Sequence, residues 1–374
     1  MPGEVQRGLE DVVALESKIC LIDGREGRLI YRGYDIRDLA AHASFEEVAY
    51  LLWYGRLPNA TQLAGLRGRL EELRAVPEEL LQEIATLPAG ADPMDVLRTA
   101  VSALAVYEPE RSGPGPNAID GAQHLTAVLP TILGVYHRRR AHLPDLEPRP
   151  GLSQAAYLLY ALLDREPNEL ETRAVDVALM LHADHDLNAS TFAARVTAST
   201  LSDLYSAVTS AVGALKGPLH GGANERVMEL LEQIGRVDRV EEVVRAKLAR
   251  RERVMGFGHR VYKVEDPRAT ILRSWSRKVG EAKGNLRYFE LLQRIAEVVH
   301  REKGLNPNLD FYSGSVYTLL GIPTDLFTPV FATSRVVGWT AHVLEEYEDL
   351  RLIRPVSRYV GPTGLAYVPV SERP

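Results

Sequence analysis

Apolar residues recur along most of the chain at the spacing of an α-helix, and capping residues precede several of the apolar runs. Ser44 and Glu47 match a capping box in front of the apolar run 48–53. Asp92 and Asp266 each precede a proline that can occupy the first position of a helix. The pattern therefore predicts a mainly helical protein.

Longer helices follow from the same periodicity, and strands are expected only near the N-terminus. The long helices are predicted at 168–182, 188–215, 286–299 with a stop near Gly304, and from Thr324 towards Tyr347. Residues 19–22 and 29–31 flank a glycine-containing turn at 23–27, which is typical of a β-hairpin. Since strands and helices do not alternate, the expected fold class is all-α with a small N-terminal β-hairpin.

The composition limits the classes of protein to which the chain can belong. A chain of 374 residues is long enough for two domains, and its net charge of −6 argues against a general nucleic-acid binder. The single cysteine, Cys20, excludes an intramolecular disulfide, and residues 1–10 lack the apolar core of a signal peptide. The apolar stretch 204–215 is too short to span a bilayer and is expected to be a buried helix. These features predict a cytoplasmic protein without a membrane segment.

Two segments without strong periodicity are expected at the surface. Residues 112–117 are rich in Gly and Pro and predict a loop. Residues 138–150 begin with three arginines and become rich in proline, which indicates a surface connection. The arginines Arg138, Arg139 and Arg140 could attract a phosphate, but a solvated helix end is the favoured interpretation.

Glycine and histidine occur together in two further segments. In 216–224, His220 stands among glycines on a turn that can be structural or catalytic. In 254–263, His259 has Arg260, Lys263 and Arg268 close by in sequence, so the loop suits a phosphate-bearing ligand or is a solvated basic loop. Its glycines match neither a dinucleotide fingerprint nor a P-loop.

Single polar residues in apolar surroundings are the remaining candidates. Asp310, between Leu309 and Phe311, is either a desolvated base or a helix cap, and the residues alone favour the cap. Arg335 interrupts an apolar helical stretch, so a buried guanidinium there needs an acidic partner or an anionic ligand. Arg354 could help Arg335 to bind an anionic ligand.

Two histidines share one face of a predicted helix. His182 and His185 are three residues apart and Asp184 lies between them, which allows a metal site and hence a metal-dependent hydrolase. The glutamate of the zinc-protease pattern is absent, so core or ligand-contacting histidines are favoured.

Taken together in this order, the motifs resemble the citrate synthase family. The matching segments are 33–36, 46–58, 182–200, 217–224, 256–268, 306–314 and 328–355. The resemblance implies an almost all-helical homodimer whose subunit has a large domain (1–221 and 322–374) and a small domain (222–321) that closes over the substrates. It implies condensation of acetyl-CoA with oxaloacetate and water to citrate and CoA, without a metal or redox cofactor, since the CoA thioester is a substrate.

Residue roles are implied by the same resemblance. Three residues would be catalytic. His220 would stabilise the enolate of the acetyl thioester, Asp310 would remove the methyl proton as the base, and His259 would polarise the ketone of oxaloacetate. Oxaloacetate would be bound by His185, Arg268, Arg335 and Arg354, the last given across the dimer interface. The CoA-binding residues would be Arg253, Met255, Gly256, Gly258, Arg260 and Lys263.

The nearest alternative is 2-methylcitrate synthase, which uses propionyl-CoA with the same catalytic residues. One methylene discriminates by only about 1–3 kcal/mol, so the motifs do not separate the two activities. A non-catalytic helical scaffold is disfavoured because Asp310 and His220 are both present.

Overall fold

The structure is a computed structural model that describes residues 5–111, 113–114 and 118–374. Most of the loop predicted at 112–117 lies outside these residues. The α-helices of the described residues are α1 (Ile36–His42), α2 (Phe45–Tyr54), α3 (Ala60–Glu72), α4 (Glu78–Thr86), α5 (Pro93–Tyr107), α6 (Ala118–Arg140), α7 (Gln154–Leu163), α8 (Glu169–His182), α9 (Ala189–Ala198), α10 (Leu204–Leu215), α11 (Ala223–Ile234), α12 (Val240–Ala249), α13 (Pro267–Ala282), α14 (Arg287–Lys303), α15 (Leu309–Leu320) and α16 (Phe327–Glu348). The expected all-α class is confirmed.

The predicted hairpin is present and is extended by one short strand. β1 (Cys20–Asp23) pairs antiparallel with β2 (Arg28–Tyr31), which pairs with β3 (Tyr34–Asp35). The third strand was not predicted, because two residues are too few to show alternation.

The capping residues act as the sequence predicts. Ser44 and Glu47 form a capping box at α2, and the side chains of Asp92 and Asp266 accept backbone N–H groups at the starts of α5 and α13. Asn168 caps α8 in the same way, at the residue where that helix was predicted to begin. Each such cap contributes about 1 kcal/mol, so these helix starts are set locally.

The single helix predicted at 188–215 is wrong, because the structure contains α9 and α10 with a break between them. Leu201 has a left-handed backbone with φ 62°. Asp203 then starts α10 by accepting the N–H of Ser206 at 2.9 Å. The two helices pack on each other, which a continuous helix could not do.

The solvated helix end predicted at the three arginines is wrong for Arg138, whose side chain is 2% exposed. Its guanidinium donates to the carbonyl oxygens of Ala161 at 2.8 Å and Tyr160 at 2.7 Å, and to the carboxylate of Asp164 at 2.6 Å. The arginine satisfies the carbonyl end of α7, so no phosphate is needed to explain it.

Helices α6 and α16 are buried along nearly their whole length and form the centre of the molecule. Helices α11 to α15 pack mainly on one another, with α13 also touching α1 and α8, α15 also touching α8, and α11 also touching α16. No helix among the described residues is both long and apolar enough to cross a bilayer.

Candidate active site

His185 lies in the short connection between α8 and α9, and its side chain is buried. Asn188 ends this connection by capping α9. The ring of His185 lies 5.0 Å from the ring of His259, centroid to centroid. Burial, and then the cation Arg268, hold the pKa of His185 well below its ordinary value, so the imidazole is neutral.

His220 lies in the tight turn that follows α10. An added Cβ at Gly221 would lie 2.4 Å from the Leu215 carbonyl oxygen, so this turn requires glycine. The Ser190 hydroxyl lies 2.8 Å from Nε2 of His220. The Ser190 N–H, which can only donate, is shared between that nitrogen at 3.3 Å and Oδ1 of Asn188 at 3.2 Å. Burial, and then Arg335, lower the pKa of His220 to about 4. A neutral ring whose Nε2 accepts carries its proton on Nδ1.

In His259 the other ring nitrogen, Nδ1, is the hydrogen-bond acceptor. Its Nδ1 accepts the backbone N–H groups of Val261 at 3.0 Å and Tyr262 at 3.2 Å. Burial, and then Arg268, lower the pKa of His259 to about 4. The neutral ring therefore carries its proton on Nε2 and can donate it to a ligand.

The loop that carries His259 is tied to the start of α15. The N–H of Gly258 donates to the carbonyl of Asn306 at 3.0 Å. The backbone of Asn308 donates to the carbonyl of Gly256 at 2.9 Å, and its side chain donates to the carbonyl of Gly258 at 3.0 Å. Gly256 and Gly258 both have positive φ, 81° and 76°, which explains the glycines of this motif.

Asp310 is on the first turn of α15, and the interpretation of Asp310 as the helix cap is wrong. The cap is Asn308, whose side chain accepts the N–H of Asp310 at 3.1 Å. Oδ1 of Asp310 is buried and has no hydrogen-bond partner among the described residues. Burial raises the pKa of Asp310 to about 6, and Arg268 opposes the rise. The carboxylate is therefore free and more basic than usual.

Two buried arginines near these groups differ in their partners. Arg268 binds the Asp266 carboxylate with Nε at 3.0 Å and Nη2 at 2.7 Å. Arg335 donates Nε to the carbonyl of His182 at 2.5 Å and lies over the ring of Phe331, and it has no carboxylate partner in the described part of the chain. Burial lowers the pKa of Arg335 to about 10. A buried cation without an acid suits an anionic ligand.

A cavity of about 510 Å³ opens beside His220. Its lining includes Arg253 and Met255 from the predicted CoA segment, and also Arg226 and Lys247, which the sequence did not single out. Glu229 and Glu252 also belong to the lining, and Lys247 pairs with Glu252 at 2.9 Å. Arg226 and Arg253 have no carboxylate partner among the described residues, so they are the cations that suit the phosphates of a long ligand.

Other predicted residues lie further from this cluster. Arg260 and Lys263 are exposed on the loop after His259 and do not line the cavity. Arg354 is exposed on the chain that follows α16, where it makes no hydrogen bond or ion pair with any residue that the structure describes. Within this chain, the structure therefore brings together a group of residues whose charges influence one another: His185, His220, His259, Arg268, Asp310 and Arg335.

The metal alternative finds no support in the arrangement of the histidines. His182 is fully buried and donates Nδ1–H to the carbonyl of Ala178 at 2.7 Å, and burial lowers its pKa to about 3. Asp184 faces His342 instead of His182. The described residues contain no group of three or more His, Cys, Asp or Glu side chains that could hold a metal ion.

The sequence missed the residues that orient the histidines. Ser190 contacts His220 from 30 positions away, and Tyr262 packs on His259 with ring centroids 4.7 Å apart. Asp266 was found only as a helix cap, although its spacing to Arg268 could have indicated the ion pair.

The chain is similar to citrate synthases over its whole length. The family model described as citrate synthase, C-terminal domain, matches residues 8–356. A citrate synthase of Haloferax volcanii is 50% identical over the full length of both chains. A 2-methylcitrate synthase of Shewanella oneidensis is 42% identical over 98% of this chain and 97% of its own. A Thermoplasma acidophilum citrate synthase, solved in a ternary complex with carboxymethyl coenzyme A and oxaloacetate, is 36% identical, with a TM-score of 0.94 over 99% of this chain and 100% of its own.

Proposed function

The chain belongs to the citrate synthase family, and we propose that its cluster of histidines, arginines and Asp310 condenses acetyl-CoA with oxaloacetate and water to give citrate and CoA. The observation that carries this proposal is the pair of neutral histidines. Backbone N–H groups occupy Nε2 of His220 and Nδ1 of His259, so each ring can donate its one remaining N–H. Two such donors suit a reaction between two carbonyl compounds, a thioester and a ketone.

Asp310 is the base of the proposed first step. Its free, buried carboxylate removes a proton from the methyl group of acetyl-CoA, while Nδ1–H of His220 donates to the thioester oxygen as the enolate forms. General-base catalysis typically accelerates a reaction about 10²–10⁴-fold. By analogy with an oxyanion hole, the hydrogen bond from His220 increases the rate by a further factor of roughly 10²–10³.

Oxaloacetate is the electrophile of the second step. Arg268, Arg335 and His185 bind its carboxylates, and Nε2–H of His259 donates to its ketone oxygen. The enolate carbon attacks the polarised ketone carbon, and the oxygen takes up one proton, which balances the proton that Asp310 removed from the methyl group, to give a citryl thioester. Water then cleaves the thioester to citrate and CoA, so the atoms balance without a redox cofactor.

The subunit would divide into the two domains predicted from the sequence. Helices α11 to α15 cover the small domain 222–321 and pack mainly on one another, which supports the division. His220 and Arg335 belong to the large domain, whereas His259, Arg268 and Asp310 belong to the small one. Closure would complete the cluster and exclude water from the enolate.

A homodimer is the proposed assembly. The chain after α16 is exposed and carries apolar side chains without cover in one subunit: Leu352, Val356, Tyr359, Val360, Leu365, Tyr367 and Val370. A second copy of the chain would bury them and place Arg354 of one subunit at the oxaloacetate site of the other. The proposed location is the cytoplasm, because Cys20 has no cysteine to pair with.

The second candidate is 2-methylcitrate synthase, which the relatives of that name at 42–43% identity favour. The test is oxaloacetate-dependent release of the CoA thiol, with the specificity constants for acetyl-CoA and propionyl-CoA measured side by side. A higher constant for acetyl-CoA is expected. A higher constant for propionyl-CoA would assign the second activity, and no release from folded protein with either would reject condensation.

A further inference from the structure

A row of buried polar side chains leads from the His185 loop along α16, and the proposed chemistry uses none of them. The Asp184 side chain is fully buried. Its Oδ2 accepts the N–H of Asp186 at 3.1 Å, and its Oδ1 lies 3.3 Å from Nε2 of His342. On the other side of the ring, Nδ1 of His342 lies 3.0 Å from Nη1 of Arg195.

The direction of the hydrogen bonds in this row follows from the arginine. Arg195 can only donate, so Nδ1 of His342 accepts and the proton of the neutral ring is on Nε2, facing Asp184. Arg195 is fixed in turn by Glu345 and Glu346, each at 2.8 Å. The row therefore anchors the Asp184 carboxylate to the last turns of α16.

Helix α16 also approaches the loop with its backbone. An added Cβ at Gly338 would lie 2.3 Å from the carbonyl oxygen of Ala183 and 2.5 Å from Oδ1 of Asp184. One turn before Gly338 is Arg335, and the adjoining Trp339 donates to the Ser190 hydroxyl at 3.0 Å. One face of α16 thus meets both ends of the connection that carries His185.

We propose that Asp184 and His342 are positioning residues, which hold the backbone before His185 so that its imidazole meets oxaloacetate in the correct orientation. This inference rests on the proposed function. Nε2 of His185 has no hydrogen-bond partner among the described residues, so the orientation of the ring depends on the backbone that carries it. The Tyr31 hydroxyl binds the carbonyl and the N–H of Asp184 on one side of His185, and the Asp184 carboxylate accepts the N–H of Asp186 on the other. Nε2 of His342 faces the buried Oδ1 of Asp184 at 3.3 Å without the geometry of a hydrogen bond, so its N–H stabilises the carboxylate electrostatically.

Two variants disturb this arrangement in different ways. Asp184→Asn removes the charge at constant shape. Gly338→Ala keeps every charged group but displaces the loop, and Gly338 lies inside α16 without a positive φ, so alanine causes no backbone strain. The matched control is Gly213→Ala on α10, where the nearest atom to an added Cβ is a side-chain carbon of Arg98 at 3.8 Å.

The measurements are the Michaelis constants for both substrates, the oxaloacetate dissociation constant by calorimetry, and the melting temperature. In both variants we expect the oxaloacetate constants to rise about tenfold or more, as for a misplaced binding group, with little change in the acetyl-CoA constant. Gly213→Ala should match the wild type. Wild-type oxaloacetate affinity in folded Asp184→Asn and Gly338→Ala would overturn the inference. A parallel loss of affinity for both substrates together with melting temperature would also overturn it, because the role would then be structural.

The same experiment separates this inference from the proposed function. A wild-type protein that binds oxaloacetate but releases no thiol from acetyl-CoA rejects condensation, and the calorimetric comparison of variants still decides the inference. A wild-type protein that does not bind oxaloacetate overturns both.

Discussion

Among the single residues of the site, Asp310 is the one whose protonation changes near physiological pH. Burial raises its pKa to about 6, whereas burial lowers the pKa values of His220 and His259 to about 4. The two histidines therefore stay neutral between about pH 5 and 8, where an ordinary histidine would titrate. One group, the base, controls activity in this range.

The pH profile of kcat/KM for acetyl-CoA should show this directly. Activity needs ionised Asp310, so kcat/KM should fall about tenfold per pH unit below pH 6. Because the pKa is raised above the unfolded value, ionisation also costs stability, and part of the folding free energy should be lost as the pH rises through about 6. Asp176 on α8 provides the control, because burial also raises its pKa to about 6. Asp176→Asn should still show the fall of kcat/KM below pH 6. A profile flat down to pH 5 would contradict the assignment.

The two buried arginines should respond differently to replacement by methionine. Arg268→Met leaves the Asp266 carboxylate buried without its partner and should destabilise the ligand-free protein by roughly 3–5 kcal/mol. Arg335→Met removes a buried cation that has no carboxylate partner among the described residues, but it also removes the donor to the His182 carbonyl, so the destabilisation should be clearly smaller than that of Arg268→Met. Both variants should weaken oxaloacetate binding. Urea unfolding and oxaloacetate titration measure the two effects, and an equal destabilisation by both variants would refute the distinction.

Among the secondary-structure elements, the helices with local start signals could be predicted from the sequence, as the caps of α2, α5, α8 and α13 show. The break between α9 and α10 was missed because the apolar pattern continues across it and Leu201 is an unusual residue for a left-handed backbone. Asp203, a good capping residue, was the available signal.

The site itself could be predicted only in part, for a related physical reason. His220, His259 and Asp310 stand out by residue type and glycine neighbours. Contacts such as the one between Ser190 and His220 depend on how distant helices pack, which hydrophobic periodicity does not encode. Asp310 and Asn308 are both capping types, and only the backbone geometry of α15 distinguishes them.

The β-hairpin is expected to position the His259 loop. Lys263 donates its N–H to the carbonyl of Gly24 in the hairpin turn at 2.8 Å, and an added Cβ at Gly24 would lie 2.2 Å from the Val261 carbonyl oxygen. Val261 is also one of the two donors to Nδ1 of His259. Gly24 does not have a positive φ, so alanine causes no backbone strain there. Gly24→Ala should therefore act through the close contact with Val261, shift the loop and lower kcat/KM about tenfold or more.

The control for this prediction is Gly65→Ala on α3, where nothing lies within 4 Å of an added Cβ. Hydrogen exchange of the amides of Val261 and Tyr262 should become faster in Gly24→Ala and stay unchanged in the control. Unchanged exchange and kinetics in Gly24→Ala would show that the hairpin does not position His259.

For the whole molecule, the proposed active site includes a residue from each of two subunits. Arg354→Ala and Asp310→Asn homodimers should both have low activity, for different reasons. After joint unfolding and refolding, about a quarter of the wild-type activity should return, because half of the dimers are hybrids with one complete site of two. Activity assays on the mixture test this, with each variant refolded alone as control. A mixture no more active than its components would place Arg354 in the site of its own subunit or outside the site.

The most direct test of the central claim is the turnover of acetyl-CoA and oxaloacetate by Asp310→Asn, measured together with its affinity for oxaloacetate. The amide keeps the shape of the side chain and the Asn308 cap but cannot take the methyl proton. Turnover should fall by about 10²–10⁴-fold while oxaloacetate affinity stays close to that of the wild type. Turnover near the wild-type rate would contradict the role of Asp310 as the base.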